Sequence, residues 1–208
     1  MDADAWDRRY ADTDLVWSET PNQFVAEQLA DLPPGRAVDL AAGEGRNAIW
    51  LARRGWEVTA VDFSQVALDK GRRLAGDTPV DWQCADATAW HARAPYDLAL
   101  VAYLQLPAEE RRAAVRGAFA ALRDGGTLLL VAHDSTNLLE GTGGPQDPAV
   151  LMSADDVLAD LGGESFEVIR AERAARTVVE PGHGEEPDRR DRPDRTAWDC
   201  LVRVERRG

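Results

Sequence analysis

The hydrophobic and polar positions change period several times along the chain, and each change predicts an element. After a polar stretch of twenty residues, Thr20 is placed to cap a helix with Pro21 in its first position. Val25, Leu29 and Leu32 then recur at i, i+4, i+7 until Pro33-Pro34-Gly35 ends the pattern. Residues 36–42 read as a buried strand, 46–54 as a helix closed by Gly55, and 57–62 as a second strand. Ser64 caps a helix that runs to Ala75. Residues 80–84, 96–102 and 127–132 predict three further strands, the last preceded by a helix over 107–122 and a turn at Asp124-Gly125-Gly126. Strands alternating with helices at this spacing imply βαβ units, hence a parallel sheet with helices on both faces.

Beyond Asp134 the alternation stops. Residues 135–149 are rich in Gly and Pro without an apolar pattern and predict a loop, and Ser153-x-x-Asp156 opens a short helix. Residues 166–179 and 196–204 alternate as two strands with no helix between them, an antiparallel hairpin closing a sheet edge. Their connection, PGHGEEPDRRDRPDR, is too charged to pack and is expected to be mobile. The expected fold is a doubly wound, Rossmann-like α/β sheet of seven strands, mostly parallel.

Composition narrows the function classes. A chain of 208 residues with 44% hydrophobic and 29% charged residues suits one folded domain. Lys+Arg of 24 against Asp+Glu of 37 gives −13, which leaves no broad basic surface for nucleic acid or anionic membranes. The apolar runs are strand-length, and the start MDADAWDRRY lacks the basic and apolar regions of a secretory signal, so a cytoplasmic protein without membrane contact is expected. Cys84 and Cys200 sit in strand-like runs and read as small buried hydrophobes, and three scattered histidines make no metal site.

In such a sheet, ligands bind outside the carboxyl ends of the strands. The first of these loops, AVDLAAGEGRNA, offers Gly43 and Gly45 for a tight turn and close backbone approach. Asp62 stands at the tip of the second strand, 19 residues beyond Gly43, where a carboxylate can accept both hydroxyls of a ribose. After the third strand, Asp86 can accept from an adenine amino group while the Ala87 N–H meets a ring nitrogen; the alternative for Asp86 is a helix cap. Residues 43–48 also satisfy G-x-G-x-x-G/A, so an NAD(P)-linked oxidoreductase is the competing reading. Asp39 and Glu44 would repel a pyrophosphate, whereas S-adenosylmethionine has no phosphate and carries a sulfonium cation.

The ordered set AVDLAAGEGRN, VTAVDFS, CADATAW, YDLALVAY and LRDGGTLLLVAH resembles the class I S-adenosylmethionine-dependent methyltransferases over roughly residues 36–134. GEGRNAIWLARRGWEVTAVD looks like the tellurite-resistance methyltransferases and, more distantly, the thiopurine methyltransferases. Ala41-Ala42 departs from the usual Gly-Cys or Gly-Ser, and VAYLQLP replaces the N/D-P-P-Y motif associated with amino methylation of nucleic-acid bases. The resemblance implies Gly43 and Gly45 at the methionine part, Asp62 on the ribose, Phe63 against the adenine, Asp86 and Ala87 at its edge, and Val101 or Ala102 beneath the sulfonium. Trp6, Tyr10 and Trp17 would form a lid, with Arg9 or Arg46 on the methionine carboxylate. The implied organisation is an aromatic lid and helix over 1–35, a cofactor-binding core over 36–134, and a substrate loop with closing hairpin over 135–208. For a small-molecule acceptor, His133 and Tyr103 are the candidate catalytic residues, and Trp17, Tyr103, His133, His183 and Arg195 are candidates for acceptor contact. A cofactor-binding module without activity is the reading outside the enzymes.

Overall fold

A computed structural model of the chain describes residues 3–12, 20–178 and 195–208. In chain order its elements are α1 (Ala3–Ala11), α2 (Gln23–Gln28), β1 (Arg36–Leu40), α3 (Arg46–Arg53), β2 (Glu57–Asp62), α4 (Gln65–Ala75), β3 (Asp81–Cys84) and β4 (Tyr96–Ala102). They continue with α5 (Ala108–Ala120), β5 (Leu122–His133), α6 (Asn137–Glu140), a 3₁₀ turn at Pro148–Val150, α7 (Ala154–Asp160), β6 (Phe166–Val178) and β7 (Arg195–Arg206). The strands make one sheet in the order β3-β2-β1-β4-β5-β7-β6. The five strands from β3 to β5 pair in parallel, while β7 runs antiparallel to β5 and β6. The doubly wound α/β sheet expected from the sequence is the one formed.

The central strands are buried on both faces, which is why they read as continuous apolar runs rather than alternating ones. In β5, Leu128 and Leu130 enter a core layer with Val38, Val101 and Phe119, whereas Leu129 and Val131 enter the opposite layer with Val25, Leu51 and Leu98. Strand order reverses between β1 and β4, so the loops leaving these strands part and open a crevice at their carboxyl ends.

Several local expectations are corrected. Asn22, not Thr20, caps α2: its Oδ1 accepts from the amides of Phe24 and Val25 at 2.9 and 3.2 Å. The Asn22 amide itself donates to Asn47 Oδ1 at 2.9 Å, so a contact with α3 decides where the helix starts. The helix closes at Gln28, before Leu32. Leu122 pairs with Tyr96 ahead of a register shift, and Asp124-Gly125-Gly126 therefore lies within β5, Gly125 taking a φ of 74°. Within 135–149, α6 forms because Asn137 bonds outward, its Oδ1 accepting from the Trp198 amide at 2.8 Å and its Nδ2 donating to the Gly143 carbonyl at 2.9 Å. Cys84 is exposed, since β3 is an edge strand; Cys200 is buried as expected. Arg195 is not in a loop but opens β7 opposite Val178.

Candidate functional site

The crevice is a cavity of about 1170 Å³, above the roughly 300–1,000 Å³ of a pocket for one small ligand. Its walls are the segments after β1 to β5, with Trp6, Arg9 and Tyr10 of α1, residues Thr142 to Asp147, and Arg176 and Val178 of β6.

One end is built on backbone turns. The Asp62 carboxylate, 5% exposed, accepts from the Gly43 amide at 2.8 Å through Oδ2 and from the Ser64 amide at 2.9 Å through Oδ1. An ionised carboxylate has about four acceptor sites, so capacity for two hydroxyl donors remains. Burial pushes the Asp62 carboxyl above its ordinary pKa, opposed by the two amides. Beside it Phe63 presents an exposed ring, and Ala87 and Ala102 line the wall, while Val101 is buried in the core. Asp86 Oδ1 accepts from the Thr88 amide and hydroxyl, both at 2.8 Å, which leaves Oδ2 for a ligand. Gly43 has φ 57° and lines the cavity. Gly45, φ 77°, does not: a Cβ there would stand 2.3 Å from the Trp82 ring, so this glycine serves packing. Ala41, at φ 60°, holds a conformation that glycine adopts without strain.

Beneath the turn, Asp39 is fully buried and neither carboxyl oxygen has a hydrogen-bond partner among the described residues. Burial raises its pKa to about 7, Arg46 opposing and Asp62 reinforcing the rise. Glu44 faces Lys70, whose Nζ lies 3.5 Å from Glu44 Oε1 and also donates to the Tyr10 carbonyl. The Ser64 hydroxyl donates to Asp7, so α1 is fastened to α4 and its cap from two sides. In α1, Trp6 and Tyr10 stack with centroids 5.5 Å apart, and the Arg9 guanidinium lies 4.9 Å from the centre of the Trp6 ring.

The other end is built on side chains. Asp199 of β7, 0% exposed, accepts from Arg176 Nε at 2.6 Å and from the Tyr103 hydroxyl at 2.9 Å. His133 Nδ1 stands 3.4 Å away. Burial disfavours the Asp199 charge, yet His133 and Arg176 outweigh it and hold the carboxyl below its ordinary pKa. Burial and the nearby carboxylate push the Tyr103 hydroxyl up, so it is a donor here. Asn22 Nδ2 donates to that hydroxyl at 3.2 Å. Sequence reasoning missed Arg176 and Asp199; Asp199 carries a signal, a charge between apolar neighbours in a buried strand, whereas Arg176 is one of several charges in β6 and carries none. Of the remaining candidates, Arg195 is not on the cavity wall, and Trp17 and His183 lie outside the described residues. Among the described residues no acid, histidine and cysteine cluster suits a metal, and no helix is long and apolar enough to cross a membrane.

The comparisons with known proteins agree with this geometry. The profile of a family described as "Methyltransferase domain" matches residues 37–126. A demethylmenaquinone methyltransferase of Clavibacter sepedonicus is 42% identical over 76 residues, covering 36% of this chain and 29% of the relative. Thiocyanate methyltransferase 1 of Brassica oleracea is 23% identical over 78% of this chain and 75% of its own. A tRNA 5-carboxymethoxyuridine methyltransferase of Escherichia coli is 30% identical over 53% of this chain and 46% of its own. The match thus spans less than half the length of the first and third of these relatives. Among solved structures, one concerning conversion of a disulfide bond into a thioacetal group during echinomycin biosynthesis superposes with TM-score 0.72 at 20% identity, covering 99% of this chain and 91% of the other. TehB from Haemophilus influenzae superposes with TM-score 0.70 at 14% identity, covering 99% and 67%. Profile and fold coincide on the same loops: residues 37–126 match the methyltransferase-domain family, and the sheet they belong to superposes on that of TehB.

Proposed function

We propose that this protein transfers the methyl group of S-adenosylmethionine to a small-molecule acceptor bound in the same cavity. The observation that carries the reading is the two-ended cavity of about 1170 Å³, with room for a nucleoside cofactor and a second small molecule. Asp62 would take the ribose hydroxyls, Phe63 would lie on the adenine, and Asp86 with the Ala87 N–H would meet its edge. Ala102 would underlie the sulfonium, Arg46 or Arg9 would pair with the methionine carboxylate, and Trp6 and Tyr10 would cover the site. Bound there, the cofactor supplies a methyl carbon on a good leaving group. What the protein adds is mainly alignment and exclusion of water, and proximity of this kind contributes roughly 7–11 kcal/mol.

In the competing dinucleotide reading, the turn amides would cradle a pyrophosphate. The Gly43 amide is already taken by Asp62, and Glu44 is in the same turn, which favours the phosphate-free cofactor. The net charge of −13 supports a small acceptor over nucleic acid, and two free cysteines support a cytosolic setting. Calorimetric titration of the full chain tests the cofactor assignment. S-adenosylhomocysteine is expected to bind and NAD and NADP to give no heat; the reverse result overturns the reading.

A further inference from the structure

Asp199 interrupts a buried apolar run of β7, between Ala197 on one side and Cys200, Leu201 and Val202 on the other. A carboxylate in such surroundings persists only when paired and hydrogen-bonded. Three side chains meet it. Arg176 Nε and the Tyr103 hydroxyl address Oδ2, at 2.6 and 2.9 Å, while Oδ1 is faced by His133 Nδ1 at 3.4 Å and, at 3.5 Å, by Arg176 Nη2. The imidazole is confined on its other sides as well. The Tyr103 ring centroid lies 4.9 Å away, Gln105 Oε1 accepts the His133 peptide N–H at 3.0 Å, and a Cβ on Gly144 would come within 3.0 Å of the ring. Nδ1 is buried and completes no hydrogen bond in this geometry, so Asp199 Oδ1, 3.4 Å away, is the carboxylate oxygen in reach of an Nδ1 proton rather than one already bonded to it. The side chain lines the cavity and keeps 16% exposure, so its open edge is the one that carries Nε2.

We propose that Asp199 is a positioning residue that holds His133 in the Nδ1–H tautomer, leaving Nε2 on the cavity side to take a proton from the acceptor. This rests on the methyl-transfer reading above and names its substrate class: the atom methylated carries an ionisable hydrogen, as a hydroxyl or thiol does. The acceptor's X–H proton passes to Nε2, and the freed lone pair on X bonds to the methyl carbon while the electrons of the C–S bond stay on sulfur. The imidazolium then releases the proton to solvent, so the products are X–CH₃, a thioether and one proton. A buried carboxylate orienting a histidine base through Nδ1 is a recurrent arrangement in acyl-transfer sites, where it sets the tautomer rather than accepting the proton. Tyr103 is unsuited to the same task because its hydroxyl proton is committed to Asp199.

The tautomer can be read directly. In full-length protein labelled with ¹⁵N in its imidazoles, loss of a signal in His133→Gln assigns the ring. At a pH where the ring is neutral, the wild-type shifts should place the proton on Nδ1, both without ligand and with S-adenosylhomocysteine. In Asp199→Asn, Arg176 and Tyr103 require the amide oxygen at the Oδ2 position, which turns the NH₂ toward His133. The tautomer should then invert to Nε2–H while S-adenosylhomocysteine affinity stays unchanged. A wild-type ring protonated on Nε2 overturns the proposal, as does a tautomer that does not respond to Asp199→Asn. If that variant fails to fold, the wild-type tautomer decides alone. Absence of S-adenosylhomocysteine binding in the wild type would instead remove the methyl-transfer reading itself.

Discussion

Asp62 and Asp199 are both buried carboxylates at the carboxyl edge of one sheet, but they are held in opposite ways. Asp62 is met by two peptide N–H groups, one of them only two residues along the chain. Asp199 is met by a guanidinium, a phenol and an imidazole on three other strands or strand ends, 23, 96 and 66 residues away. Peptide donors come with the turn and stay bare enough to share their acceptor with a ligand. Side-chain donors must each be provided, and what they build is a closed network with one exposed edge. The difference separates an end suited to an invariant cofactor from an end whose chemistry can be varied residue by residue.

The strongest test of that contrast removes one member of the network. Arg176→Met strands a buried carboxylate, and the expected loss is about 3–5 kcal/mol in urea unfolding, with the fold otherwise retained at low denaturant. A loss below about 1 kcal/mol would mean that Asp199 is not held by its partners, and the distinction between the two ends would disappear.

Asp39 gives the counterpart at the turn-built end. Its folded pKa, about 7, lies above the ordinary 3.8, so between these values the folded state binds a proton that the unfolded state does not. Its contribution is therefore fully present below the unfolded value and is lost as pH rises through about 7. The unfolding free energy of the wild type should fall relative to Asp39→Asn over this window, the difference reaching on the order of 4 kcal/mol. Parallel pH curves would show that the Asp39 carboxyl titrates like an exposed one.

Asp62→Ala sharpens the same end by function. Two hydroxyl bonds to a charged acceptor are worth roughly 1.5–3 kcal/mol each, and loss of even one weakens S-adenosylhomocysteine binding by about 10–150-fold. Calorimetry that finds wild-type affinity moves the ribose elsewhere. The smallest effect is expected at the lid. Asp7→Ala removes the bond to Ser64 that fastens α1, which should weaken S-adenosylhomocysteine binding by roughly 0.5–1.5 kcal/mol and diminish the tryptophan fluorescence change on binding. Unaltered affinity and fluorescence would leave α1 without a part in closure.

The amino-acid sequence alone determined the alternation of strands and helices, the Gly43 turn, and Asp62 and Asp86 at strand ends, because each depends on neighbours within a few residues. The Ser64 cap is of the same kind: its hydroxyl accepts from the Ala67 amide at 3.1 Å. Only the tertiary structure decided that Asn22 caps α2, since its own amide is claimed by Asn47 across 25 residues. It also packed Gly45 against the Trp82 ring, and folded α6 around the contacts of Asn137 with Gly143 and Trp198. The Asp199 network belongs to this second group. A charge within an apolar strand is visible in sequence, but its meaning depends on which side chains from β4, β5 and β6 arrive beside it, and strand pairing rather than local spacing sets that.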